Sequence, residues 1–497
     1  MALYPSLYQI NTRVWLRELS STLGRPATLA DIPDSFLDRI ASMGFDYVWF
    51  LGLWQTGPAG RLVSLSRPEW LQEYQATLLD FTEADVCGSP FAVTCYSLHR
   101  DFSPEAELLR LKERLRKRKL RFMVDFVPNH TAPDHSWVQA HPEFYVQGSA
   151  TDLELEPHKY RLVNTPTGSL ILAYGRDPNF ANWPDTFQLN YRHQGVREAM
   201  AEELLKLAEI ADGVRCDMAM LILPEVFQRT WGARSLPADG SPPVDESFWP
   251  ETIRQVKARN PEFIIMAEVY WDLEWTLMQQ GFDYCYDKKL YDLLLARDAP
   301  AVHSHLQGDL AYQNRLVRFL ENHDELRAAH EFPPPLHQAA AAITYLSPGL
   351  RFFHEGQLEG RRIKISMHLG RRPQEPVDPV LQEFYFKLLV CLQRPEVREG
   401  KWQLLEVRPA WEGNLTWDRF LAFAWEGDNN QRLLVTVNYG PIQGQCYVTL
   451  PFPNLGGKKV VLQDLMSENS YVREGDDLLD QGLYLDLPAW GFHVFAC

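Results

Sequence analysis

Short apolar runs alternate along the chain with longer amphipathic stretches. The amphipathic stretches have the period of helices and cover 36–43 (ended by Gly44), 105–120, 196–210 and 251–258. Eight apolar runs are predicted to be strands: 8–10, 45–51, 122–127, 213–217, 263–268, 282–284, 316–320 and 350–353. Because strands that are buried on both faces and separated by helices form parallel sheets, eight of them predict an α/β fold, a closed (β/α)8 TIM barrel.

Two segments depart from this alternation. Residues 131–187 are rich in Pro, His, Asn and Asp and lack a helical period, which predicts a small domain inserted after the third strand. From about residue 400 the pattern changes to short strands and turns, which predicts an antiparallel β-sandwich. We therefore expect a barrel built from 1–130 and 188–399, an inserted domain at 131–187 and a C-terminal domain at 400–497.

Composition limits the class of partner. The 497 residues are 45% apolar and 23% charged, which is typical of globular proteins. The net charge of −16 argues against a nucleic-acid partner. The one basic cluster, at 112–121, lies in the predicted helix 105–120 except for its last residue, Arg121, and we interpret it as that helix's solvent-facing side.

The sequence also predicts the compartment. The N-terminus has neither a basic segment nor an apolar one, so we expect no signal peptide. No run of 18 apolar residues occurs, so we expect no membrane partner. The seven cysteines are odd in number and scattered, which indicates reduced thiols in the cytoplasm, although a secreted chain without its leader would show the same pattern.

Four predicted strands have a carboxylate at or near their C-terminal end: Asp125, Asp217, Glu268 and Asp324. One such residue is usually a helix cap or a loop residue, but four at the same end of a barrel would form a costly cluster of like charges unless a site uses them. Barrel enzymes carry their chemistry at this end. A pair of carboxylates that flanks one bond is what glycoside cleavage requires, so the pattern predicts a glycosidase.

Neighbouring residues suit this chemistry. Arg215 precedes Asp217 by two positions, so both side chains point the same way and the guanidinium can keep that carboxylate ionised. Glu268 follows an apolar run that can raise its pKa toward that of a useful acid. His130 and His323 lie near strand ends and can donate to sugar hydroxyls; a packing role is the alternative for each.

Four blocks carry a resemblance to a known family: 125–130 (DFVPNH), 213–217 (GVRCD), 266–268 (MAE) and 321–324 (ENHD). In this order they resemble the four regions of the α-amylase family, glycoside hydrolase family thirteen. The resemblance implies a retaining double displacement on an α-glucosidic bond. It makes Asp217 the nucleophile and Glu268 the general acid/base, and Asp324 a third carboxylate that grips sugar hydroxyls.

The resemblance assigns further residues to the same subsite. Arg215, His130 and His323 would line it, and Asp125 would support substrate binding there. Phe91 stands where the family commonly has a tyrosine that stacks on the sugar; a core role is the alternative.

Three departures from the family pattern narrow the expected activity. Met220 and Leu221 replace a common Lys-His pair, which argues against an extended starch cleft. Gln188 replaces an acidic calcium ligand and leaves only Asn129, so we expect no metal and no cofactor at the usual calcium position. The segment 137–148 resembles members that act on small substrates.

We therefore expect a retaining glycosidase acting on short α-glucosides or malto-oligosaccharides, with a small-molecule oligosaccharide as its partner. A transglycosidase or isomerase, trehalose-synthase-like or sucrose-acting, is an alternative within the same chemistry. A non-catalytic barrel that only binds is an alternative of another class. The sequence does not specify the sugar, the linkage, the chain length of the substrate or the oligomeric state.

Overall fold

The computed structural model describes residues 2–102, 104–166 and 168–497. A closed barrel of eight parallel strands lies at its centre, with each strand beside its neighbours in the chain and the last beside the first. The strands are β1 (Ser6–Asn11), β2 (Tyr47–Leu51), β3 (Arg121–Phe126), β4 (Gly213–Cys216), β5 (Ile264–Ala267), β6 (Tyr284–Tyr286), β7 (Leu316–Arg318) and β8 (Leu350–His354). The predicted barrel is confirmed, although the sixth strand begins at Tyr284 and not at residue 282.

Helices cover the outside of the barrel because each presents one apolar face to the strands. Those of eight or more residues outside the C-terminal domain are Thr12–Leu23, Asp34–Ser42, Pro58–Ser66, Pro68–Thr77, Ala106–Arg116, Gln194–Ile210, Pro224–Trp231, Trp249–Arg259, Lys288–Leu295, Ala299–Leu306, Pro334–Leu346 and Pro379–Leu392. Shorter helices are Glu274–Gln279, Leu310–Gln313, Ala328–Glu331 and Pro395–Glu399.

The helix predicted at 105–120 is shorter in the structure. It spans Ala106–Arg116, and Lys119 then takes a left-handed conformation with φ 60° that turns the chain into β3. The basic residues of this region pair with carboxylates, for example Arg118 with Asp38 at 2.6 Å. These basic residues therefore form the solvent-facing side of the helix, and neighbouring carboxylates balance part of their charge.

The segment between β3 and the helix Gln194–Ile210 forms a small unit of its own. Strands Tyr160–Thr165 and Gly168–Ala173 make a hairpin, and strands His130–Thr131 and Phe187–Gln188 pair where the segment leaves and rejoins the barrel. Two short helices also occur in it, Ser136–Ala140 and Ala150–Leu155. The sequence did not indicate them because five and six residues are too few to show a helical period.

The C-terminal region consists of two antiparallel sheets with an apolar core between them. Its strands are β9 (Lys401–Leu404), β10 (Val407–Arg408), β11 (Phe420–Glu426), β12 (Arg432–Asn438), β13 (Gly444–Val448), β14 (Lys459–Asp464), β15 (Ser470–Glu474), β16 (Leu483–Leu487) and β17 (Phe492–Ala496), with one helix, Gly475–Asp480. Six strands form one sheet in the order β9-β11-β12-β17-β14-β15, and β10, β13 and β16 form the other. The predicted sandwich is confirmed.

Buried polar groups attach this domain to the barrel. The indole Nε1 of Trp425 donates to the carbonyl of Leu346 at 2.7 Å. The Arg351 guanidinium lies beside the rings of Tyr4 and Trp425 and donates to the carbonyl oxygens of Tyr345, Tyr4 and Val397. Among the residues that the structure describes, no helix is both long and apolar enough to cross a membrane.

Candidate active site

The pairing of β4 with β5 brings two predicted acids side by side. Cys216 pairs with Ala267, so the next residue of each strand, Asp217 and Glu268, lies at the same barrel end. Backbone hydrogen bonds continue past the strands, from Asp217 N to Phe126 O at 2.8 Å and from Glu268 N to Cys216 O at 3.0 Å. The sheet itself therefore fixes both backbones.

One guanidinium joins the three acids. Arg215 is only 1% exposed; its Nη1 lies 2.5 Å from Asp217 Oδ1 and its Nη2 lies 2.7 Å from Glu268 Oε2. Asp324 Oδ2 is 3.9 Å from the same Nη2. A buried charge needs such partners, and here the three acidic side chains surround one cation.

Glu268 is held from three directions. Besides Arg215, the backbone N–H of Met218 donates to its Oε2 at 2.7 Å and the Tyr270 hydroxyl to its Oε1 at 2.8 Å. Met218 takes a left-handed conformation, φ 44°, which is strained for a residue with a side chain. Burial raises the pKa of Glu268 to about 8, opposed by Arg215 and reinforced by the charges of Asp217 and Asp324. The carboxyl group is therefore protonated at neutral pH.

Asp324 and His323 follow β7 in a loop. The Asn322 side-chain oxygen accepts from the N–H groups of Asp324 and Glu325, both at 2.8 Å, and so shapes the turn. His323 Nε2 lies 3.0 Å from Asp324 Oδ2, and Gln9 Nε2 lies 3.0 Å from the other ring nitrogen. Burial lowers the pKa of His323 to about 4, so the ring is neutral at pH 7.

These groups open into a cavity of about 820 Å³. Asp217, Glu268 and Asp324 line it, together with His130, His323 and Phe91. The Phe91 ring, which also belongs to the apolar core, lies 5.4 Å from the His323 ring and 5.2 Å from the Arg215 guanidinium, so it adjoins the reactive groups.

Two predicted site residues lie outside the cavity lining. Arg215 lies behind the acids that it binds. Asp125 was predicted among the substrate-binding residues but lies beneath the cavity, where it accepts from Trp49 Nε1 at 3.0 Å and Gly52 N at 2.7 Å. Burial raises its pKa to about 6. Its contacts suit a supporting role, because both oxygens already bind protein groups.

Sequence reasoning missed several residues of the cavity. They are Trp70, Trp183, Asp185, Tyr270, Trp271 and His368. Tyr270 and Trp271 follow Glu268 by two and three positions, which was the one available signal. The others come from distant segments that share no motif, so only folding brings them to the cavity.

The usual calcium position holds an amide. Gln188 Nε2 lies within hydrogen-bond distance of three oxygens, at 2.9 Å from Asn129 O, 2.9 Å from Asn129 Oδ1 and 3.1 Å from Leu189 O. Calcium prefers six to eight oxygens with carboxylates among them. Here the oxygen cluster has no carboxylate, and the Gln188 N–H group within it is a hydrogen-bond donor. These residues therefore do not fit a calcium ion.

A parallel barrel that gathers three carboxylates at the C-terminal ends of its strands, two of them on one guanidinium, has the architecture of a glycoside hydrolase. The sequence profile of the α-amylase catalytic domain matches residues 93–357, just over half of the chain. The chain therefore belongs to the α-amylase family, as the sequence blocks suggested.

Individual relatives are distant. An α-amylase from Haloarcula japonica, MalA, is 22% identical over 444 residues, which is 87% of this chain and 55% of that protein. A Burkholderia pseudomallei α-1,4-glucan:maltose-1-phosphate maltosyltransferase is 23% identical over 280 residues, 54% of this chain and 20% of that protein. The chain thus spans about half or less of these curated relatives. The maltogenic α-amylase AmyB of Thermotoga neapolitana shares the fold, with a TM-score of 0.69 at 15% identity over 99% of this chain and 98% of that one.

Proposed function

We propose that the protein is a retaining glycosidase that cleaves α-glucosidic bonds in short α-glucosides or malto-oligosaccharides. The observation that carries the proposal is the contact of one buried guanidinium with Asp217, Glu268 and Asp324 at a single cavity. This arrangement supplies an anionic nucleophile beside a protonated acid, which are the two groups that a double displacement needs.

In the first step the Asp217 carboxylate attacks the anomeric carbon. The bond from that carbon to the glycosidic oxygen breaks, and the proton of Glu268 moves to the leaving oxygen. The high pKa of Glu268, which burial causes, keeps this proton available at neutral pH. Asp324 and His323 hold the hydroxyls of the same sugar through the transition state.

In the second step water attacks the anomeric carbon of the glycosyl-enzyme. Glu268, now ionised, takes a proton from the water, and the bond to Asp217 breaks to release the sugar with its original configuration. Both acids return to their starting states, so no cofactor is required.

Transfer to a sugar hydroxyl is the second candidate. It is favoured by the similarity to a maltosyltransferase and by Tyr270 and Trp271, whose rings line the cavity beside Glu268 and suit stacking on an acceptor sugar. Ten acidic residues and three lysines line the cavity, so its lining is mostly negative. An uncharged acceptor therefore suits this lining better than a phosphate group does.

We further propose a cytoplasmic location, which is supported by seven free cysteine thiols.

The test is a screen of maltose, sucrose, trehalose and malto-oligosaccharides with the products identified by nuclear magnetic resonance. A retaining glycosidase releases the α-anomer first, and transfer gives new disaccharides or longer products. First release of the β-anomer, or no turnover of any α-glucoside, would contradict the proposal.

A further inference from the structure

The cavity extends to two sides of the three acids. The loops after β5 and β6 contribute Tyr270, Trp271 and Lys288 on one side. On the other side, segments that follow β2, β3 and β8 contribute Trp70, Trp183, Asp185 and His368, which we call the distal arm. The circular order of the strands places these two groups of loops across the barrel from each other.

His368 is rigidly held in the distal arm. Its ring stacks on Trp70 with centroids 4.4 Å apart, and its Nδ1 lies 2.8 Å from the hydroxyl of Tyr74, a fully buried residue. Burial lowers the pKa of His368 to about 4, so the ring is neutral at pH 7. When the Tyr74 hydroxyl donates to Nδ1, the ring proton lies on Nε2 and is free to donate.

Asp185 lies opposite that nitrogen with an unused acceptor. The residue is 4% exposed, and its Oδ2 has no hydrogen-bond partner among the described residues. The distance from Oδ2 to His368 Nε2 is 3.8 Å, too long for a direct hydrogen bond. A buried acceptor without a donor lowers the stability of the fold. A ligand that donates a hydrogen bond to this oxygen would therefore bind favourably in the distal arm. A single hydroxyl can accept from Nε2–H and donate to Oδ2 at once.

The positions of the catalytic groups determine which part of a substrate reaches the distal arm. The acid Glu268 must lie beside the leaving oxygen, so the leaving group extends toward the loops after β5. The glycone, the part that stays on the enzyme, then extends to the opposite side. The side-chain contacts of His368 described above are with Trp70, Tyr74 and Asp185, and none of the three acids is among them.

We propose that Asp185 and His368 form a binding site for a hydroxyl of the second glycone sugar, the unit next to the one at the reactive centre. The proposal rests on the proposed function and makes it specific, since the ligand is then a glycone of at least two neutral sugar units. Tyr74 is a positioning residue that orients His368, and the faces of Trp70 and Trp183 border the same space.

The experiment compares α-maltosyl fluoride with α-glucosyl fluoride, which differ by this second sugar. Asp185→Ala should lower kcat/KM for maltosyl fluoride about 10- to 100-fold, the usual effect of losing a hydrogen bond to a charged group. It should change kcat/KM for glucosyl fluoride less than about twofold. Asp185→Asn keeps the shape and gives a smaller loss if the alanine variant does not fold. Asp80→Asn is the matched control, because Asp80 is 79% exposed and pairs with Arg371 outside the cavity.

A second measurement separates this site from the proposed reaction. Maltose binding by calorimetry to the inactive Asp217→Asn variant should weaken about 10- to 100-fold when Asp185→Ala is added. Equal losses on both fluorides, or no loss in either assay, would overturn the proposed site and leave the pair as a water-binding or structural feature. If the wild type cleaves neither fluoride but the calorimetric loss is observed, the proposed reaction fails and the binding site stands.

Discussion

The protonated state of Glu268 predicts how activity depends on pH. Burial raises the pKa of this carboxyl group to about 8, against the opposing charge of Arg215. At pH 7 about ten molecules in eleven are then protonated, and at pH 9 about one in eleven. If the proton is needed to expel a sugar, kcat/KM for an α-linked disaccharide should fall about tenfold between pH 7 and pH 9.

Glycosyl fluorides provide the matched control, because fluoride leaves without a proton. The wild-type kcat/KM for α-glucosyl fluoride should therefore lack this alkaline decline. The Glu268→Gln variant should lose about 10²- to 10⁴-fold in kcat/KM on the disaccharide and far less on the fluoride. Initial rates of glucose or fluoride release over pH 5–10 measure both quantities.

Two results would refute this reasoning. A disaccharide profile that stays flat from pH 7 to pH 9 would mean that the carboxyl group is not the titrating acid. The same alkaline decline on both substrates would mean that the titrating group acts on something other than the leaving group, such as substrate binding.

Further predictions concern the other groups of the site. Asp217→Asn should lower turnover of every substrate by at least about 10³-fold while circular dichroism shows that the fold survives; near-normal activity would contradict the assigned role. Arg215→Met removes the cation that contacts the buried Asp217 and Glu268 side chains, so urea unfolding at pH 7.5 should show a loss of about 3–5 kcal/mol in the free energy of unfolding. Arg254→Met, at an exposed ion pair, should leave unfolding unchanged. A chelator should not shift the melting temperature, because the Gln188 amide fills the oxygen cluster; a fall of several degrees would show a bound cation.

Local patterns were sufficient for the eight strands of the barrel and for four of its helices, with errors at element ends, but they did not single out helices such as Pro334–Leu346 and Pro379–Leu392. The strands are short apolar runs, and a buried strand such as Tyr47–Leu51 has no other environment available to it. The helix that ends at Arg116 was predicted too long because the leucine spacing continues past the point where the backbone turns. The two short helices of the inserted segment left no period to detect.

Local sequence patterns likewise predicted some residues of the candidate site and missed others. Asp217 and Glu268 could be predicted because each follows its strand directly, and Asp324 because it lies in the loop after β7; parallel strands end at the same side of a barrel. Asp185, His368 and Trp70 could not, because loops of irregular shape carry them and no repeating geometry relates their positions in the chain.

The sequence by itself determined the barrel, its three carboxylates and the family, because these depend on residue order and on a periodic backbone. Only the tertiary structure decided that Asp125 supports the cavity from beneath, that burial raises the pKa of Glu268 to about 8, and that Asp185 and His368 come within 3.8 Å of each other. Burial and distance between remote segments control these properties, and both exist only once the chain has folded.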